Sequence, residues 1–176
     1  MIFTGFKRKT NQIFFNKKWA EFLKNKEKQT PVEIKNVLVL VDDEKIITSL
    51  KKELPKMLHV EENAIEILLF KQKAGKAHLE ADGYKLYTPK DFGWYGTIKN
   101  SSLNKCLTKK YDLLINYHKV DNLYTNLLLL HSNSIFRAGF EHLNRNLYQL
   151  TIKCNREDLP VFNSELKKYL KIINLL

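Results

Sequence analysis

The sequence predicts an α/β fold built on a mostly parallel sheet with helices on both faces. Two observations carry this. The apolar runs "NVLVLV" (36–41), "AIEILLF" (64–70), "YDLLINY" (111–117) and "SIFRAGF" (134–140) have strand length and are largely continuous, as strands buried on both faces are. The segments between them carry apolar residues at helical spacing, so the strands are joined by crossovers. A chain of 176 residues suits one such domain with a substantial core.

The elements follow in order. From Asn11 to Lys28 the pattern is helical, with Phe15, Trp19, Phe22 and Leu23 on one stripe and lysines filling much of the rest. "QTPVE" (29–33) breaks it at Pro31. The strand 36–41 ends at Asp42 and Asp43, which are expected to cap a helix from Glu44 to Met57. Ile46, Ile47, Leu50 and Leu54 point inward there, and Pro55 is expected to end the helix early. After the strand 64–70 comes a lysine-rich connection. "YKLY" (84–87) is a short third strand, and "TPKDFGWYG" (88–96) is a loop of turn formers and aromatics. A short helix is expected over 102–108. The strand 111–117 leads into a helix over 122–132, then the strand 134–140 and a sixth over 147–154. A final helix is capped by Asp158 with Pro160 in its first turn. The result is a Rossmann-like domain over 31–176, preceded by a basic amphipathic helical arm over 1–30.

Charge is the unusual feature of the composition. The net charge is +11, and residues 1–30 hold eight lysines and arginines against two glutamates. Such an excess favours phosphate, on nucleic acid or on an anionic membrane. Cys106 and Cys154 have no paired spacing, and the five histidines form no ligand cluster, so neither a disulfide framework nor a zinc site is expected. No signal-type apolar core opens the chain and no run approaches a membrane span, so the expected location is the cytoplasm.

Several chemistries lack their residues. A phosphoacceptor site would use the acidic pair Asp42 and Asp43 with a third carboxylate at a central strand tip, but Tyr117 stands there beside Asn116, and no lysine follows the fifth strand. No GxGxxG or GxxxxGK[ST] loop is present to cradle phosphate. "NSS" (100–102) and "HSNS" (131–134) read as caps or turns. His118 lies at a strand tip without a carboxylate or thiol partner in sequence, and reads as structural. "DFGWYGTIK" gathers Phe92, Trp94 and Tyr95 around Gly93 and Gly96, either as a plug on the sheet or as a surface that stacks on bases.

The lysine-rich first helix, "VLVLVDD", "DFGWYG", "YDLLINY", "FRAGF" and "ELKKYLKIIN" together resemble a family of uncharacterised Bacteroidota proteins, over nearly the whole chain. "YDLLINYHKVDNLYTNLLLLHSNSIFRAGF" is more distantly similar to the amino-terminal half of lipopolysaccharide heptosyltransferases, where a "DLVID" strand, a leucine-rich helix and "RVGF" follow in that order. That second resemblance implies a Rossmann-like sheet. The chain departs from it at Asn116, where an aspartate would stand, and in lacking the glycine-aspartate loop after the first strand.

The expectation is a non-enzymatic polyanion-binding protein associated with RNA or the ribosome. Lys7, Arg8, Lys9, Lys17, Lys18, Lys24 and Lys26 would contact phosphate, and Trp19, Trp94 and Tyr95 would be available to a partner. No cofactor, metal or small-molecule substrate is expected. Alternative readings are a peripheral protein on an anionic inner membrane, a binder of another protein, or a small enzyme derived from a glycosyltransferase half-domain with its site near Asp42, Asp43, Asn116 and His118.

Overall fold

The computed structural model describes residues 2–24, 33–73 and 83–176. Helix α1 (Ile2–Lys24) opens the chain. Strand β1 (Val37–Val41), helix α2 (Ile47–Leu58), strands β2 (Ile65–Phe70) and β3 (Lys85–Tyr87), helix α3 (Ser101–Thr108) and strand β4 (Lys110–Asn116) follow. Helix α4 (Leu123–His131), strands β5 (Asn133–Phe140) and β6 (Leu150–Ile152), and helix α5 (Leu159–Ile172) complete it.

The strands form one sheet in the order β3-β2-β1-β4-β5-β6. Every neighbouring pair is parallel. The chain steps one way from β1 to β2 and the other way from β4 to β5. Right-handed crossovers therefore put α2 and α4 on opposite faces. Side chains along β5 show the same division, since residues three apart face opposite ways. Phe140 meets Phe162 of α5, with ring centroids 4.4 Å apart, whereas Arg137 lies under Phe22 of α1, 4.8 Å from its ring. Strand β1 is central and buried at every residue, which is why its sequence has no polar alternation. Each fully buried valine or leucine there contributes about 1.5–3 kcal/mol.

Most boundaries follow the sequence, and the exceptions have physical reasons. Pro55 lies inside α2, which runs on to Leu58. A proline costs a helix its amide donor, but the cost is contained in the last turn. There His59 takes a left-handed conformation (φ 57°) as C-cap, and Pro55 O accepts from the amide of Val60 at 3.1 Å. Of the acidic pair only Asp43 caps, accepting from the Lys45 amide at 3.0 Å and opening a 3-10 turn (Glu44–Ile46) rather than α2 itself. Asp42 does not cap. Asn100, Asn122 and Asp158 cap α3, α4 and α5. Helix α1 begins nine residues before the expected start at Asn11. Its segment 25–28, expected to be helical, lies outside the described residues, as does most of the lysine-rich connection after β2.

Candidate functional site

Open parallel sheets hold ligands at the carboxyl ends of their strands, where the strand order reverses. Here that point lies between β1 and β4, and the chain's own groups occupy it. Asp42 Oδ2 accepts from the Lys119 amide at 2.8 Å. Lys119 Nζ reaches Asp43 at 3.2 Å and Glu157 at 2.7 Å, while Arg156 Nη1 donates to Lys119 O at 3.0 Å. Asn116 is buried, donating to Tyr148 Oη at 2.7 Å and accepting from the His118 amide at 3.0 Å. The loop after β4 is thus fastened from both sides across the crevice.

His118 is fully enclosed. Its Nδ1 lies 3.2 Å from both Asn122 Nδ2 and Thr125 Oγ1, and Phe70 packs on the ring. Burial pushes the imidazole down to about 3, so it is neutral at physiological pH. Asp42 is pushed the other way, above the usual carboxylate range, by its own burial, and its Oδ1 is buried without a hydrogen-bond partner. Among the described residues no group of histidines, cysteines and carboxylates is placed to hold a metal ion.

The basic helix is built onto one face of the domain. Helix α1 is docked along the 3-10 turn Trp94–Gly96 and along α4. Asn11 is fully buried, and its Oδ1 accepts from the Gly96 amide at 2.8 Å. Phe14 stacks on His131, and His131 Nε2 lies 2.8 Å from Gly96 O. Phe15 is buried, while Trp19 and Phe22 are half-buried and pack on the core. Trp19 is therefore a packing residue in contact with Phe15.

Docking sorts the cations that the sequence singles out. Lys9 and Lys17 are exposed, with no ion-pair partner among the described residues. Lys18 is exposed but pairs with Glu21 at 2.8 Å. Lys7 is half-buried and donates to Pro89 O at 3.2 Å. Burial and the neighbouring charge of Lys99 hold its ammonium below the usual lysine range. Arg8 is exposed and borders a pocket. Lys24 ends α1, and Lys26 lies outside the described residues.

The aromatic loop divides in two. Phe92 is fully buried against Tyr87 and Tyr124, which is the plug. Trp94 and Tyr95 remain 37% and 61% exposed. Trp94 meets Phe6 of α1 edge-on at 5.7 Å, and Tyr95 is held in the left-handed region at φ 54°, an uncommon conformation for a non-glycine residue. Phe6 and Ile13, at 60% and 65% exposure, also stand on the outside of α1.

The pocket that Arg8 borders has a volume of about 500 Å³. Lys7 and Arg8 of α1, Gln72 beyond β2, Lys90 beyond β3, and Asn122 and Tyr124 at the start of α4 all line it. Sequence reasoning missed this pocket because its walls come from separate segments up to 119 positions apart (Gly5 to Tyr124). Lys90 beside the aromatic loop was the one local signal.

Strand order and closed crevice define a Rossmann-like α/β protein whose switch point is filled from within and whose basic helix is built into one face. The chain belongs to a family of unknown function, DUF6913, whose family model matches residues 7–173. That match begins at Lys7, so most of α1 falls within the family unit. No curated protein and no solved structure matches the chain. Among the described residues no helix is long and apolar enough to cross a membrane.

Proposed function

We propose that this is a cytoplasmic, non-enzymatic RNA-binding protein that engages the phosphate backbone, with the ribosome as its setting, through the exposed side of α1. The observation that carries the reading is the docking of α1. Thr10, Asn11 and Phe15 anchor the helix, while Arg8, Lys9 and Lys17 face outward without a carboxylate partner among the described residues. Cations held on a fixed scaffold meet phosphate with less ordering cost than cations on a free tail. Trp94 and Tyr95 add exposed aromatic surface on which unpaired bases can stack. The groups that an enzyme of this fold would use at its strand tips are bonded to one another, which favours binding over chemistry.

Charge reversal at Arg8, Lys9 and Lys17 tests the reading. Each lost phosphate contact flattens log affinity against log salt by about 0.7 on single strands, so the triple variant should lose about 2 from the slope. Co-sedimentation with ribosomes should fall in parallel. A folded triple variant with the parent's RNA affinity and slope would refute the reading. A second reading rests on the exposed Phe6 and Ile13, which lie among the lysines of α1 as insertion residues do on membrane-surface helices. Binding to anionic vesicles, lost in Phe6→Ser and Ile13→Ser variants that still bind RNA, would favour it.

A further inference from the structure

Among the described residues, the lining of the pocket at the start of α4 carries positive charge alone. Lys7, Arg8 and Lys90 reach it from two separate segments, and among the described residues no aspartate or glutamate lines it. Asp91 acts on Lys7 through its charge but is not part of the lining, and it is held in place by neutral donors. Its Oδ2 accepts from the Thr88 amide at 2.7 Å and the Thr88 hydroxyl at 3.0 Å, and its Oδ1 accepts from Asn100 at 2.8 Å. Among the described residues the acceptor of the Lys7 ammonium is a neutral one, Pro89 O. Cations gathered in a concave site repel one another, and field lines are focused there. The mouth between α2 and Tyr84 is different, because Glu44 and Glu62 stand opposite Lys51 and Lys52.

Position and size agree with the charge. The pocket lies beyond the carboxyl ends of β2 and β3, on the edge of the sheet that α/β proteins use for ligands. Its 500 Å³ falls within the range of about 300–1,000 Å³ typical of small-molecule sites. Tyr124, packed between Phe70 and Phe92, supplies an aromatic wall, and Gln72 a neutral polar one.

We propose that this pocket binds a phosphomonoester of mononucleotide size, with Lys7, Arg8 and Lys90 on the phosphate and Tyr124 beside the organic part. The phosphate can come from a free nucleotide or from the 5′ end of an RNA chain. The proposal goes beyond the RNA reading and does not depend on it, because a free ligand would fill the same site.

The test is calorimetric titration of the full chain with 5′-AMP and with adenosine. AMP should bind at least tenfold more tightly. Lys90→Glu, at an exposed position, should weaken AMP at least tenfold, whereas Lys171→Glu on α5, an exposed charge-matched control, should leave it unchanged. Circular dichroism checks that both variants fold. AMP binding no tighter than adenosine, equal AMP binding by parent and Lys90→Glu, or equal loss in both variants would each overturn the proposal. Short RNAs with 5′-phosphate or 5′-hydroxyl ends then identify the source. Tighter binding of the phosphorylated end assigns the site to RNA termini, and equal binding of the two alongside AMP binding assigns it to a free nucleotide. AMP is titrated without RNA, so this proposal and the RNA reading can fail separately.

Discussion

Replacing Gly96 with alanine should loosen α1 from the sheet. Gly96 sits at φ +68°, and a Cβ there would lie 2.3 Å from Phe14 Cδ1 and 3.0 Å from Leu127 Cδ2. The left-handed backbone alone costs a non-glycine residue about 1–2 kcal/mol. Forcing a methyl group into a packed site adds about 1–3 kcal/mol. Phe14 cannot simply turn aside, because it is stacked against His131. Relief comes from moving α1, and that stretches the 2.8 Å bond from the Gly96 amide to Asn11. The expected loss is about 2–5 kcal/mol from the strain and overpacking together, or a fall of roughly 5–15 °C in Tm for a domain of this size. Urea denaturation measures the loss, and limited proteolysis reports whether α1 is released. Gly5→Ala is the control on the same helix. Its Cβ would meet nothing within 4 Å, so it should raise stability by up to about 1 kcal/mol. A Gly96→Ala protein within about 0.5 kcal/mol of the parent, the usual range for an inert surface change, would refute the account of docking.

Two further predictions concern pH. His118 titrates near 3 in the folded chain against an ordinary 6.5, so the unfolded state takes up its proton first. Its stabilisation is complete above about pH 6.5 and is lost as the pH falls toward 3, on the order of 5 kcal/mol. His118→Gln should flatten the fall in urea stability between pH 7 and pH 4, and equal slopes for parent and variant would count against a buried neutral imidazole. Asp42, held above the usual carboxylate range by burial, has the opposite sign, since its ionisation weakens the fold at neutral pH. Asp42→Asn keeps an acceptor for the Lys119 amide and should raise stability at pH 7, with the gain fading as acid protonates the native carboxyl. A variant less stable than the parent at pH 7 would show that the charge is compensated.

What the sequence made legible was the part set by local pattern. The continuous runs around Val39, Ile67 and Ile115 marked strands buried on both faces, and these are adjacent in the sheet. Asp158 with Pro160 marked the start of α5. The caps at Asn100 and Asn122 follow from side-chain chemistry that reaches only a few residues. The docking of α1 was not legible, because Asn11 and Gly96 are 85 positions apart and nothing near Asn11 announces its acceptor. Asp42 was misread as a cap because its partner, the Lys119 amide, lies 77 residues away. The basic pocket needs three crossovers to assemble, so Lys90 could be seen only as a neighbour of aromatics.

The docking of α1 also sets an order of events during synthesis. The helix leaves the ribosome before the sheet, and the groups that receive it are made later: Gly96 for Asn11, His131 for Phe14, Arg137 for Phe22. Domains assemble as their segments emerge, and contacts this distant in sequence must wait for loop closure. Until Arg137 has been added, a lysine-rich segment with its apolar stripe uncovered remains without its seat, so an early-finished chain truncated before β5 would display that stripe to chaperones and proteases.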